Sequence, residues 1–266
     1  MSAIKDAKSI SIYSPNLLIL KRNGVAQGPT CDVKQELLLS LKHVLADSPK
    51  FESVDGDLRV FLPKLPEDLE LASEDVEITV KIFLLDPSVP PESSNINVAL
   101  DTTLKWLNVK KADLLVLAFH GLLLQDDSEE TQYKLDSIQI SDIWKSIEKQ
   151  NSDKKANELG VCEFSKTMLQ SLLSSAIIKP TVNQVNLSDC CVIPKSLRDY
   201  AKSENVKLFT HNDPNDLVSS ADFNALLSES GADASFQPKW ASRYSITYKL
   251  RGIVASRGYI VHAKCP

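Results

Sequence analysis

From residue 77 to residue 210, apolar side chains recur in two alternating rhythms, and this alternation limits the fold more than any other feature of the chain. Ile78, Val80, Ile82 and Leu84 occupy every second position of 77–85, the period of a strand. A Pro- and Ser-rich loop (86–95) gives way to a helical pattern from Ile96 to Leu107. Residues 114–119 form a continuous apolar run, as expected of a parallel strand covered on both faces. An acidic loop (125–130) leads to a helix through Ile138, Ile143, Trp144 and Ile147. The cycle then tightens: strands at 159–162, 181–187 and 206–210 alternate with helices expected to start near Ser165, Pro194 and Pro214. Ahead of the repeat, residues 31–46 set Val33, Leu37, Leu38, Leu41, Val44 and Leu45 on one amphipathic stripe. Repeated strand–helix units with short connections predict an α/β fold with a parallel sheet. A length of 266 residues suits closure into one barrel, a single domain over 1–266.

Helix starts carry their own signals. Ser165 precedes the helix bearing Leu169, Leu172 and Leu173 and reads as its N-cap. Asp213-Pro214 reads as an N-cap carboxylate followed by proline at the first helical position, with Asp216 placed to favour the helix dipole.

Composition removes several function classes. Net charge is −5 with Lys and Arg scattered among acids, which leaves no footprint for nucleic acid. No apolar run reaches bilayer length, and the first nine residues lack the apolar centre of a signal peptide, so a cytoplasmic protein without a membrane partner is expected. Five cysteines, none in a C-x-x-C pair, argue against a disulfide framework and against a zinc site; no metal is expected. The eight glycines include no G-x-G-x-x-G or G-x-x-x-x-G-K spacing, so phosphate-cradling loops of the common kinds are absent. Asp126, Asp127, Glu129 and Glu130 lack any accompanying His or Cys and read as a solvated loop.

The order and spacing of residues 157–212 resemble the second half of an aldo-keto reductase. K-P-x-x-N-Q-V-N-L-x-x-C-C-V-x-P (179–194), L-x-T-H-N-D-P (208–214), R-Y-S (243–245), R-G-I (251–253) and G-Y-I (258–260) narrow the likeness. Within that superfamily these runs resemble the modifier (regulatory) subunits of glutamate–cysteine ligase. The resemblance implies a (β/α)8 TIM-type barrel, degenerate in its N-terminal part. It implies a non-catalytic chain that binds the ligase catalytic subunit as a heterodimer, improves its glutamate use and relieves glutathione feedback inhibition. The family's phosphate-binding loop would follow the last strand, and the chain ends at Pro266, so truncation there is expected.

Aldo-keto reduction needs a phenol as proton donor, with a Lys, an Asp and a His nearby. No tyrosine lies between Tyr13 and Tyr133, where the resemblance places that phenol. Lys81 falls on the family's catalytic lysine position at the end of the third strand and is expected to be a polar strand-end residue. The histidine position falls on Ala118, and His120, two residues on, is expected in a loop or at the surface. Cys162 and Glu163 replace the Ser and Asn that hold the nicotinamide carboxamide, Gln184 matches, and His211 replaces the ring-stacking Tyr. Lys81, Gln184 and His211 are therefore candidates for a relic cofactor pocket, with NADPH the cofactor to test. Two rival readings follow: an NADPH-binding sensor module and a residual aldo-keto reductase.

Cys190 and Cys191 sit just after a strand, either as a contact or redox link to a partner or as thiols without a role. A bond between the two would be strained. Trp240 and Tyr244 carry enough aromatic area to anchor an interface. With Tyr248 their i, i+4, i+8 spacing fits a core-facing helical stripe equally well. His211 and Asp213 could form an acid–base pair, but the helix-cap reading of Asp213 is the simpler one.

Overall fold

Asp32 starts the first long helix at the head of the apolar stripe, its Oδ1 accepting the Gln35 amide at 2.7 Å. The computed structural model describes residues 2–24, 32–54, 56–63, 75–86, 91–122, 124, 137–186 and 192–266. In chain order these form α1 (Ser2–Lys5), β1 (Ser9–Tyr13), α2 (Leu17–Arg22), α3 (Val33–Ala46), β2 (Lys50–Val54) and β3 (Asp57–Phe61). Next come β4 (Val76–Leu84), α4 (Ser94–Leu107), β5 (Ala112–Phe119), α5 (Ser137–Ser152), β6 (Ala156–Cys162) and α6 (Lys166–Ser175). The last are β7 (Val182–Asn186), α7 (Lys195–Ser203), β8 (Lys207–His211), α8 (Ser220–Glu229), β9 (Gln237–Tyr248) and β10 (Ile253–Lys264). Two compact units result, one Thr79–Asn215 and the other Met1–Ile78 with Asp216–Pro266.

In the unit Thr79–Asn215, β4 to β8 run parallel and pair in sequence order, from Thr79 opposite Leu114 to Asn186 opposite His211. A helix separates each strand from the next. Sequence-ordered neighbours mark a singly wound sheet of the barrel type, whereas a doubly wound sheet reverses strand order at a switch point. Leu115, Val116 and Leu117 are consecutive and all buried, so both faces of β5 are covered, as the unbroken apolar run required. Trp144 of α5 donates its indole N–H to the Ile178 carbonyl at 2.9 Å. Glu148, buried on the same helix, accepts the Ile177 and Ile178 amides through Oε1 at 2.8 and 2.9 Å.

The second unit carries a mixed sheet in the order β2-β3-β1-β10-β9. β1 is parallel to β3 and antiparallel to β10; β2–β3 and β9–β10 are antiparallel pairs. Helix α3 buries Leu37, Leu41, Val44 and Leu45 of the expected stripe, leaving Val33 and Leu38 half-buried. Its buried Glu36 receives two hydrogen bonds from Arg257 at 2.6 Å and an ion pair from Lys21 at 2.6 Å. On β10, His262 has Nδ1 2.9 Å from the Ser11 hydroxyl and stacks on Trp240, ring centroids 5.2 Å apart.

Two local expectations are corrected here. Helix α8 does not begin at Pro214: its N-cap is Ser219, which closes a capping box with Asp222. Trp240, Tyr244 and Tyr248 lie on strand β9 and not on a helix. Spacing by four keeps residues on one face of either element, so the pattern could not separate them. Among the described residues no helix is long and apolar enough to cross a membrane.

Candidate functional site: a buried polar cluster at the strand ends

Lys81 lies within β4 and not at its end, and its ammonium is buried. A lysine so placed must find acceptors for three N–H groups, and it does. Nζ lies 2.7 Å from Asp213 Oδ2, 2.9 Å from Gln184 Oε1 and 3.0 Å from Cys162 Sγ. The ammonium also sits 5.3 Å from the centroid of the Phe83 ring.

The partners come from three successive strands, at the C-terminal end of two of them, the end at which barrel-type folds place their chemistry. Cys162 closes β6, Gln184 lies in β7, His211 closes β8 and Asp213 follows it. Glu163, directly after β6, takes a left-handed backbone with φ of 63°. Asn183 clamps this turn, donating Nδ2 to the Phe164 carbonyl at 2.8 Å and accepting the Phe164 amide at 3.3 Å. Ser165 then caps α6 by accepting the Met168 amide, as the sequence indicated.

This turn aims Glu163 at His211, with Oε1 2.5 Å from Nε2. The same carboxylate accepts the Asn186 amide on Oε1 and the Leu124 amide on Oε2, each at 2.7 Å. Nε2 of His211 also lies 3.1 Å from Cys162 Sγ, and Nδ1 lies 3.3 Å from Asp213 Oδ2. Burial pushes the His211 pKa down; contacts with Asp213, Cys162 and Glu163 outweigh it and push it up to about 10. The Asp213 amide also points at Nδ1 from 3.0 Å and would prefer a neutral ring. Two carboxylates in contact outweigh that one dipole, so the imidazolium is favoured at neutral pH.

The candidates Lys81, Gln184 and His211 are thus brought together, joined through Cys162 and Asp213. The N-cap reading of Asp213 is corrected: its buried carboxylate serves Lys81 and His211, and the acid–base pairing held in reserve is the observed one. His120 lies in the turn after β5, half-buried, and its Nδ1 has no hydrogen-bond partner among the described residues. Trp240 and Tyr244 are buried, and Trp240 stacks on His262. Cys190 and Cys191 lie outside the described residues, as does the acidic loop 125–130. Sequence reasoning missed the role of Glu163, although its place beside Cys162 in the carboxamide-binding positions was the available signal. Cys162, Glu163 and His211 also present ligand-type atoms within 4.8 Å of one another, which cysteine spacing did not suggest.

A nicotinamide carboxamide would have to displace contacts these side chains already make. Gln184 Oε1 is taken by Lys81, and Glu163 spends both oxygens on His211 and backbone amides.

The parallel strand–helix repeat with polar residues gathered at its C-terminal strand ends defines the class: the chain belongs to the aldo/keto reductase family, which matches residues 67–212. Its α/β fold, a parallel repeat in one unit and a mixed sheet in the other, is consistent with the TIM-barrel type of that family. More particularly, the chain is homologous to glutamate–cysteine ligase regulatory subunits. The Mus musculus protein of that name is 34% identical over 194 residues, 72% of this chain and 67% of the mouse protein. Aldo-keto reductase family 4 member C11 of Arabidopsis thaliana is 30% identical over 147 residues, 55% of this chain and 45% of its own. A Bombyx mori aldo-keto reductase solved in complex with NADP is 19% identical, covering 59% of this chain and 51% of its own, with a TM-score of 0.38.

Proposed function

We propose that this chain is a non-catalytic regulatory subunit that binds the catalytic subunit of glutamate–cysteine ligase, improves its use of glutamate and relieves feedback inhibition by glutathione. The observation that carries the reading is the 34% identity to regulatory subunits over 194 residues. The cluster is in keeping with it. All three protons of Lys81 are engaged by Cys162, Gln184 and Asp213, and no tyrosine between Tyr13 and Tyr133 is available as proton donor.

Regulation without chemistry needs only differential binding. The chain must stabilise a conformation of the catalytic subunit that holds glutamate more tightly and glutathione less tightly. A coupling of about 1–3 kcal/mol gives shifts of several-fold to roughly a hundredfold. The test is γ-glutamylcysteine synthesis by the catalytic subunit with and without this chain, across glutamate and glutathione concentrations, beside size-exclusion chromatography of the mixture. A one-to-one complex with a lower KM for glutamate or weaker glutathione inhibition supports the proposal. Unchanged kinetics with no complex overturns it.

The sensor reading, with NADPH held around Gln184 and His211, has less behind it, because Gln184 is engaged by Lys81 and His211 by Cys162, Glu163 and Asp213. A tryptophan-fluorescence titration that stays flat to high micromolar NADPH removes it.

A further inference from the structure

We propose that Cys162, Glu163 and His211 form a binding site for a borderline divalent cation of the zinc class. The three side chains supply one sulfur, one nitrogen and one oxygen from a single buried point. Sγ–Nε2 is 3.1 Å, Nε2–Oε1 is 2.5 Å and Sγ–Oε1 is 4.0 Å. Tetrahedral zinc with bonds of about 2.0–2.3 Å sets its ligand atoms about 3.4–3.6 Å apart. Converting the cluster therefore needs shifts of under about 1 Å, within the reach of side-chain rotation.

The surroundings hold the three ligands as a metal requires. Nε2 of His211 is the ring atom that faces Cys162 and Glu163, while Nδ1 lies 3.3 Å from Asp213 Oδ2; the Asp213 amide, 3.0 Å from Nδ1, has to give way for the ring to bind a metal through Nε2. A carboxylate behind a ligating histidine fixes the tautomer and raises the basicity of the ring. Glu163 is fixed by the Asn186 and Leu124 amides, and Cys162 ends a strand that is paired on both sides. Lys81 does not oppose the cation outright: its charge is matched by Asp213 at 2.7 Å.

Donor chemistry selects the ion. A thiolate with an imidazole suits zinc, cobalt or cadmium, whereas magnesium and calcium take more oxygen ligands than the cluster offers. Three protein ligands leave a fourth position for water or a small anion.

The test titrates the full chain with Co²⁺ and then Zn²⁺. One equivalent of Co²⁺ with tetrahedral d–d bands and a thiolate charge-transfer band is expected, and Zn²⁺ should displace it. C162S should lose the charge-transfer band and bind Zn²⁺ at least tenfold more weakly, while C190S/C191S should retain both. X-ray absorption at the zinc edge of the unmodified chain guards against a misfolded C162S. A shell of one sulfur with nitrogen and oxygen supports the site, and two or more sulfurs would assign the metal to other cysteines and overturn it. Absence of stoichiometric binding overturns it as well. None of these readouts involves the ligase catalytic subunit, so this proposal and the regulatory one fail independently.

Discussion

Lys81 and Asp213 stand 132 positions apart in sequence, yet Nζ and Oδ2 meet at 2.7 Å with both side chains buried. A pair so placed gains little over an apolar replacement but is costly to break by halves, because the survivor loses its nearest partner and leaves the buried cluster one charge out of balance. K81M should therefore lower stability by about 3–5 kcal/mol. The K81M/D213L double variant should lose less than the sum of the two single losses. Urea denaturation of the four proteins closes the cycle, and strictly additive losses would contradict the coupling.

The two buried histidines should titrate in opposite directions. His211, facing Asp213, Cys162, Glu163 and Lys81, has its pKa raised to about 10. Its contribution to stability is complete below pH 6.5 and is lost as pH rises through about 10. For His262 burial is the largest influence and lowers the pKa; Lys264 adds to this, and Asp57 opposes it. Its contribution is complete above pH 6.5 and is lost as pH falls through the folded pKa. Ring-proton NMR of the metal-free chain resolves both: at pH 7 the His211 signal should report imidazolium and the His262 signal a neutral ring. Denaturation curves for H211Q and H262Q should lose slope on the alkaline and acid sides respectively.

The strand–helix repeat was legible because apolar period reports local geometry. The continuous run at 114–119 announced a strand covered on both faces, and the stripe at 31–46 announced α3. The cluster was legible only in part. Lys81, Gln184 and His211 stood out by position, while Asp213 looked like a helix cap because Asp-Pro has the same local appearance in either role. An ion pair that closes over 132 residues leaves no trace in a window of ten. The β9–β10 hairpin was missed for a related reason: Trp240, Tyr244 and Tyr248 share a face at period 2 as well as at period 3.6.

Gly258 on β10 lies opposite Tyr244 on β9, and the tyrosine ring crosses the space a side chain would fill. A Cβ there would stand 2.5 Å from Tyr244 Cζ and 2.9 Å from Ser14 Oγ. G258A should cost about 1–3 kcal/mol through overpacking. Y244F should not rescue it, because the ring carbon remains in the way. Thermal denaturation of G258A, Y244F and G258A/Y244F tests the argument, and a G258A protein as stable as the parent would show that the ring moves freely aside.

Trp240 separates a core role from an interface role. Its indole is buried and stacked on His262 within the same unit, so truncation removes packing the chain needs by itself. W240A should lose about 3–5 kcal/mol of stability. Its affinity for the ligase catalytic subunit, measured on the folded fraction, should stay near the parent value. An interface anchor gives the reverse pattern: unchanged stability and a binding loss of about 2 kcal/mol or more. Urea denaturation beside calorimetric titration of the catalytic subunit distinguishes the two, and that reverse pattern would place Trp240 at the contact and contradict its assignment to the core.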